Sequence, residues 1–245
     1  MTVHVGDENP ILLDLGTGAR EFGLAMARPF DGAVFITHLH WDHIQGLPFF
    51  GPMIMAGAST TVYGPAQPGE TLKEALDSFI RPPLFPVMID GLPSKIDAVA
   101  IGEETIDLGY ASVVSRSVPH VGDTNGYRVE VGDRSVAYIP DHQQPSDPTA
   151  IAPGVRDLCR EADVLIHDAQ YTPDEFATKP HWGHCTIDYA VHVAVMCGVK
   201  QLVLFHHDPS HHDDMLDDLV AEAKAKGAVA GVEVVGAHEG LEIAI

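Results

Sequence analysis

Three imidazoles and a carboxylate fall within six consecutive residues, at His38, His40, Asp42 and His43. Imidazole nitrogen and carboxylate oxygen are the ligands that borderline divalent metals such as zinc, manganese and iron take up. His38 and His40, two apart at the end of an extended segment, can point the same way and share one cation. Asp42 and His43 sit where the chain must turn and can face a second. Taken singly, each would be read as a surface histidine or a capping aspartate. Together, at H-x-H-x-D-H spacing, they read as a metal motif, because burying such a cluster unpaired is costly.

The apolar run Ala33-Val34-Phe35-Ile36 predicts a strand over 33–37 that delivers this cluster from a rigid edge. Other polar residues also follow apolar runs. His120 follows Ser117-Val118-Pro119, and Asp141 follows Val136-Ala137-Tyr138-Ile139-Pro140. His167-Asp168 closes Val164-Leu165-Ile166, and His206 follows Gln201–Phe205. Open α/β sheets gather their sites where strand ends meet. Strands are also expected at 10–15, 60–63, 96–101, 104–108, 111–118, 126–131, 134–139, 232–236 and 241–244. Helices are expected at 21–27, 70–80, 150–162, from Thr172-Pro173-Asp174-Glu175 onward, at 187–197 and at 215–226. Arg81-Pro82-Pro83 stops the helix at 70–80, so residues 64–95 are expected to form a cap or flap.

With 245 residues and 45% hydrophobic content, one large α/β domain over 1–245 is expected. No apolar run approaches a membrane span and no signal peptide is evident, so no membrane partner is expected. Three cysteines without a C-x-x-C pair speak against a disulfide framework and for a reduced, cytoplasmic setting. The formal charge is −21, and two divalent cations would leave it at −17. With 14 scattered Lys and Arg, such a chain disfavours long nucleic acid and favours a small-molecule substrate.

These residues resemble the metallo-β-lactamase superfamily. Within it they resemble the phosphodiesterase branch around the tRNA 3′-processing endonuclease RNase Z and small cyclic-phosphodiester hydrolases. The likeness is carried by Leu13-Asp14-Leu15-Gly16-Thr17-Gly18, Thr37–His43, His120, Tyr138-Ile139-Pro140-Asp141, Ile166-His167-Asp168-Ala169, Gly183-His184-Cys185-Thr186 and Leu204-Phe205-His206. It implies an α/β, four-layer αββα sandwich, here expected to lack the first N-terminal strand or strands of its relatives. It implies that His38, His40 and His120 hold one metal, that Asp42, His43 and His206 hold a second, and that Asp141 bridges them. Of His206 and His207, His206 is taken because it directly follows the strand. His184 becomes the general acid, Asp168 its orienting carboxylate, and Asp42 a catalytic carboxylate as well as a ligand.

The cofactors implied are two divalent ions, zinc first, with manganese or iron as alternatives. The reaction implied is hydrolysis of a small phosphodiester, cyclic ones included, by water activated at the metals. No long basic arm for gripping tRNA is present. The alternative readings are lactone or thioester hydrolysis on the same scaffold, and a non-catalytic metal-binding protein. A missing edge strand would leave backbone groups for a second copy to pair, so a homodimer is a further expectation.

Overall fold

The computed structural model describes residues 1–245, which form two compact units, Met1–Gly102 and Glu103–Ile245.

The first unit is built on a five-stranded sheet of β1 (Thr2–Val3), β2 (Ile11–Leu13), β3 (Asp31–Phe35), β4 (Ser59–Pro65) and β5 (Lys95–Ile101), in that order. Only β1 runs antiparallel to its neighbour; the others are parallel. Ile11, Leu12 and Leu13, like Ala33, Val34 and Phe35, are all buried. Burial on both faces is why these strands read as continuous apolar runs rather than alternating ones.

Helices α1 (Gly18–Ala25), α2 (Trp41–Ile44), α3 (Gly51–Ile54) and α4 (Leu72–Phe79) complete the unit. Leu12, Val34, Ile36 and Val62 pack with Phe30, Leu47, Phe50, Met53, Leu72 and Leu76 in one apolar core. Helix α4 opens on a reciprocal cap: Thr71 Oγ1 accepts from Glu74 N–H, and the Glu74 carboxylate accepts from Thr71 N–H. Residues 64–95 therefore supply a helix to this core, and truncating Leu76 to alanine would cost about 2–5 kcal/mol. Leu84 and Met88, beyond the prolines, are exposed.

The second unit carries seven strands: β6 (Thr105–Asp107), β7 (Ser112–Ser117), β8 (Asn125–Val131), β9 (Arg134–Ile139), β10 (Val164–Asp168), β11 (Gln201–Phe205) and β12 (Glu233–Gly236). Their order is β12-β11-β10-β9-β8-β7-β6. Strands β6 to β9 form an antiparallel meander, while β9 to β12 run parallel. The parallel half needs crossovers, which α5 (Pro153–Cys159), α6 (Pro173–Thr178), α7 (Ile187–Cys197) and α8 (Asp213–Val229) supply. Ala137, Ile139, Leu165, Leu202 and Leu204 pack with Val155, Leu158, Tyr189, Val193 and Ala223.

Helix α7 begins where Thr186 Oγ1 accepts from Tyr189 N–H. It ends at Gly198, whose positive φ of 70° suits glycine. The segment 241–244 is not a strand. The sheet ends at β12, so the Leu-Glu-Ile-Ala alternation finds no ladder to join, and most of it is exposed. No helix is long and apolar enough to cross a membrane.

Candidate functional site

In the first unit the histidine cluster hangs from the ends of β2 and β3. Asp14, directly after β2, is buried and adopts a positive φ of 59°, a conformation that Asp tolerates better than most residues. Its carboxylate accepts from Thr37 N–H (2.7 Å), from Thr37 Oγ1–H (2.9 Å) and from His43 Nδ1–H (2.8 Å). Leu15 N–H donates to His43 O and Gly46 N–H to Leu15 O, both at 2.7 Å, so the turn bearing Asp42 and His43 is tied to the end of β2. Gly16 is required there, because a Cβ would sit 2.5 Å from Asp42 O.

Since Thr37 Oγ1 donates to Asp14, it accepts from His38 Nδ1–H (3.1 Å). Both Nδ1 protons are thus fixed, which puts the lone pairs of His38 and His43 on Nε2, the tautomer of a metal ligand. The ring of His38 lies 4.4 Å from that of His40 and 4.2 Å from that of His43. Asp42 Oδ2 stands 3.2 Å from His43 Nε2. Four ligand-type side chains that are neighbours in sequence are neighbours in space.

In the second unit the parallel register explains the convergence. His167 lies opposite Ile139, and Asp168 opposite Phe205, so Asp141, Asp168 and His206 emerge at the same end of β9, β10 and β11. Asp141 is 2% exposed. His120 Nε2 lies 3.7 Å from its Oδ2, and His206 Nε2 lies 3.6 Å from its Oδ1. These gaps exceed a hydrogen bond. They suit ligands sharing an ion, since two atoms each about 2.1 Å from one cation at a tetrahedral angle stand about 3.4 Å apart. Each carboxylate oxygen faces the Nε2 of a different histidine. Asp141, His184 and His206 form a group that could hold a metal ion.

The orienting contacts repeat the pattern of the first unit. His120 Nδ1–H donates to Gly183 O (2.7 Å), leaving its lone pair on Nε2. The Gln170 carboxamide contacts His206 Nδ1 at 2.9 Å. His206 has a positive φ of 56°, a conformation uncommon outside glycine that His adopts more readily than most side chains. His184 Nδ1 lies 2.9 Å from Asp168 Oδ2, and its ring stacks on that of His206 with centroids 5.0 Å apart. Asp168 is fully buried and also accepts from His142 N–H and Gln170 N–H. Burial pushes its carboxyl pKa up, and the His184 imidazole pulls it back.

His167 Nδ1–H donates to Asp168 O (2.7 Å), so its Nε2 accepts from His142 Nδ1–H (2.9 Å). Burial lowers His167 to about 4 and holds His142 well below the usual histidine value, keeping both rings neutral. They form a buried structural chain behind Asp168.

Sequence reasoning assigned no site role to Asp14, His142, Gln143, Gln144 or Gln170. For Asp14 there was a signal: a single carboxylate inside the apolar run Ile11–Leu15 must find partners or stay out of the core. The glutamines carried none, because a carboxamide in a polar loop reads as solvated surface.

The family described as the β-lactamase superfamily domain matches residues 11–207. The chain belongs to that family. The ribonuclease Z of Myxococcus xanthus (strain DK1622) is 28% identical over 253 aligned positions, spanning 87% of this chain and 82% of that enzyme. Among solved structures, the metallo-β-lactamase fold protein YhfI of Bacillus subtilis superposes with a TM-score of 0.73 at 21% identity, over 98% of this chain and 89% of that one. A diphosphatase of the PhnP family gives a TM-score of 0.70 at 22% identity, over 100% and 83%. These likenesses establish the metallo-β-lactamase fold: two sheets flanked by helices.

Proposed function

We propose that this β-lactamase superfamily member is a metal-dependent hydrolase with a dinuclear centre that cleaves small phosphodiesters. In this reading His38, His40 and His120 hold one divalent cation, Asp42, His43 and His206 hold the other, and Asp141 bridges the two. The observation that carries it is the buried Asp141 carboxylate, with one histidine Nε2 facing each oxygen at ligand-sharing distance. The fixed Nδ1 protons of His38, His43 and His120 support it, because they set these rings up to ligate through Nε2.

Zinc fits this nitrogen and oxygen donor set, as manganese and iron also do. When bound, such cations supply Lewis acidity and a water acidified toward neutral pH. The rest falls to the chain's own groups. His184 carries the proton that the departing alkoxide needs, on the nitrogen opposite the one Asp168 holds. Asp168 fixes the tautomer and the orientation of the ring. The buried His142–His167 pair behind Asp168 stays neutral, so it offers no competing charge.

His184 and Asp168 suit a reaction that expels an alkoxide, and the choice of a phosphodiester over an ester rests on the resemblance of Gly183-His184-Cys185-Thr186 to the phosphodiesterase branch. The ribonuclease Z and diphosphatase relatives lend weight by their own activities. The charge of −21 favours a small diester over a polynucleotide.

The test is a parallel assay of bis-p-nitrophenyl phosphate, a cyclic nucleotide and an acyl-homoserine lactone with wild type and His184→Ala. Wild type should turn over both diesters and not the lactone. The variant should lose about 10²–10⁴-fold on the cyclic nucleotide, whose leaving group is poor. Turnover of the lactone alone would refute the diesterase reading, and full turnover of the cyclic nucleotide by the variant would refute the acid assignment.

A further inference from the structure

The turn Gly183-His184-Cys185-Thr186 is largely buried but carries His184 on loop backbone, and a general acid must be held to within a fraction of an ångström. Neither neighbouring helix extends through it: α6 ends at Thr178, and α7 meets it only at its capping residue, Thr186. The Cys185 carbonyl accepts from Tyr171 N–H and the Cys185 thiol donates to Asp168 O, and the residues on either side of Cys185 are held by the segment directly after Asp141.

Gln143 Oε1 accepts from Gly183 N–H (2.9 Å), while its Nε2 donates to Gln144 O and Pro180 O, both at 2.9 Å. Gln144 Oε1 accepts from Thr186 N–H (3.1 Å) and from Thr186 Oγ1–H (2.9 Å). Between these two anchor points Gln144 N–H donates to His184 O (3.1 Å), and Gln143 N–H donates to Pro119 O (2.7 Å), the residue before His120. The Gly183 peptide is shared, because its carbonyl accepts His120 Nδ1–H. Three side chains given separate roles above, His120, Asp141 and His184, are therefore cross-linked through two consecutive glutamines.

We infer that Gln143 and Gln144 are positioning residues: they clamp the His184 turn at both ends and, through the Gly183 carbonyl, set the ring of His120. The catalytic half of this inference rests on the reading of His184 as the acid; the clamp itself does not. The two glutamines work differently. Gln144 uses its side-chain oxygen alone, so a carboxylate can replace it. Gln143 uses both ends of its carboxamide, so neither a carboxylate nor an alkyl chain can.

The experiment compares Gln143→Leu, Gln144→Leu and Gln144→Glu with wild type in the full-length protein, using thermal unfolding to check folding. Amide hydrogen exchange of peptides covering 180–186 and zinc affinity by competition with a chromophoric chelator are read without reference to turnover. Both leucine variants should exchange faster over 180–186, and Gln143→Leu, by freeing the Gly183 carbonyl that orients His120, should bind zinc more weakly, by up to the roughly 10–100-fold that loss of a ligand's orienting partner costs. Gln144→Glu should match wild type on both. On diesters, the leucine variants should lose kcat at constant KM, and lose more with an alkoxide leaving group than with p-nitrophenolate, which needs no acid.

Exchange and affinity at wild-type values in both leucine variants would overturn the clamp. An equal loss with both leaving groups would overturn its link to His184. If wild type cleaves no diester, the diesterase reading fails, and the exchange and zinc measurements still decide the clamp.

Discussion

Replacing Gly183 by alanine puts a methyl group where the structure has no room. Its Cβ would fall 2.5 Å from His120 Nδ1, closer still to Cε1, and 3.3 Å from Val121 Cγ2. The ring it meets is buried and tied to the Gly183 carbonyl, so it cannot swing aside without breaking that bond. Restoring ordinary contact requires a shift of about 1 Å in the ring or the turn. Either movement displaces His120 Nε2 from Asp141 or His184 from Asp168, and a misplacement of about 1 Å can cost about 10²-fold in rate. The backbone adds a separate cost: Gly183 has a φ of 95°, where alanine is destabilised by about 1–3 kcal/mol.

Gly109→Ala separates the two effects, since Gly109 has a φ of 83° and open space around its Cβ position. Urea unfolding should show both variants destabilised, Gly183→Ala the more, because it carries the clash as well as the backbone cost. Diester turnover and zinc affinity should fall in Gly183→Ala alone, turnover by about 10²-fold. A Gly183→Ala protein as active and as metal-avid as Gly109→Ala would refute the argument that this turn sets His120 and His184.

Asp14→Ala removes the acceptor for His43 Nδ1 and for Thr37, and should weaken metal binding by about 10–100-fold in chelator competition, whereas Asp14→Asn, which keeps one oxygen and tolerates the positive φ, should lose less. Unchanged affinity in Asp14→Ala would count against a ligand role for His43. The Lys200 ammonium, at 2.6 Å, holds the buried Asp163 carboxyl below its usual pKa, with help from Ser135 N–H. Because the folded-state pKa is the lower one, this stabilisation is full above the unfolded pKa of about 3.9 and fades as pH falls through the folded value. Asp163→Ala should therefore cost about 1–3 kcal/mol in urea unfolding at pH 7, and the difference from wild type should narrow below about pH 4. A constant difference across that range would show that the carboxylate's ionisation is not what stabilises the strand ends.

The metal motif was legible because its ligands are local. Four side chains within six residues announce themselves at any register, and the apolar run before them marks the strand that carries them. The longer elements were legible too: β9, α7 and β11 fall where the spacing predicts, since each combines a clear apolar pattern with a turn or cap at its ends. Beyond local pattern, legibility fades. The bond from Asp14 to Thr37 spans 23 residues and that from Gln143 to Gly183 spans 40, and nothing in either residue's neighbourhood names its partner. Gly183 shows the same limit: its glycine is demanded by a histidine 63 residues earlier in the chain. At 241–244 the pattern misled in the opposite direction, because alternation describes a face and cannot supply the neighbouring strand.

In the proposed mechanism two divalent cations, held by these histidines and aspartates, are the machinery of diester hydrolysis. Elemental analysis of the purified protein, coupled to bis-p-nitrophenyl phosphate turnover through one cycle of chelation and zinc return, tests it directly. The active form should carry two equivalents of metal per chain, lose turnover as they are removed, and recover it on their return. Full turnover by metal-free protein, or two bound equivalents with no turnover of any diester, would contradict that mechanism.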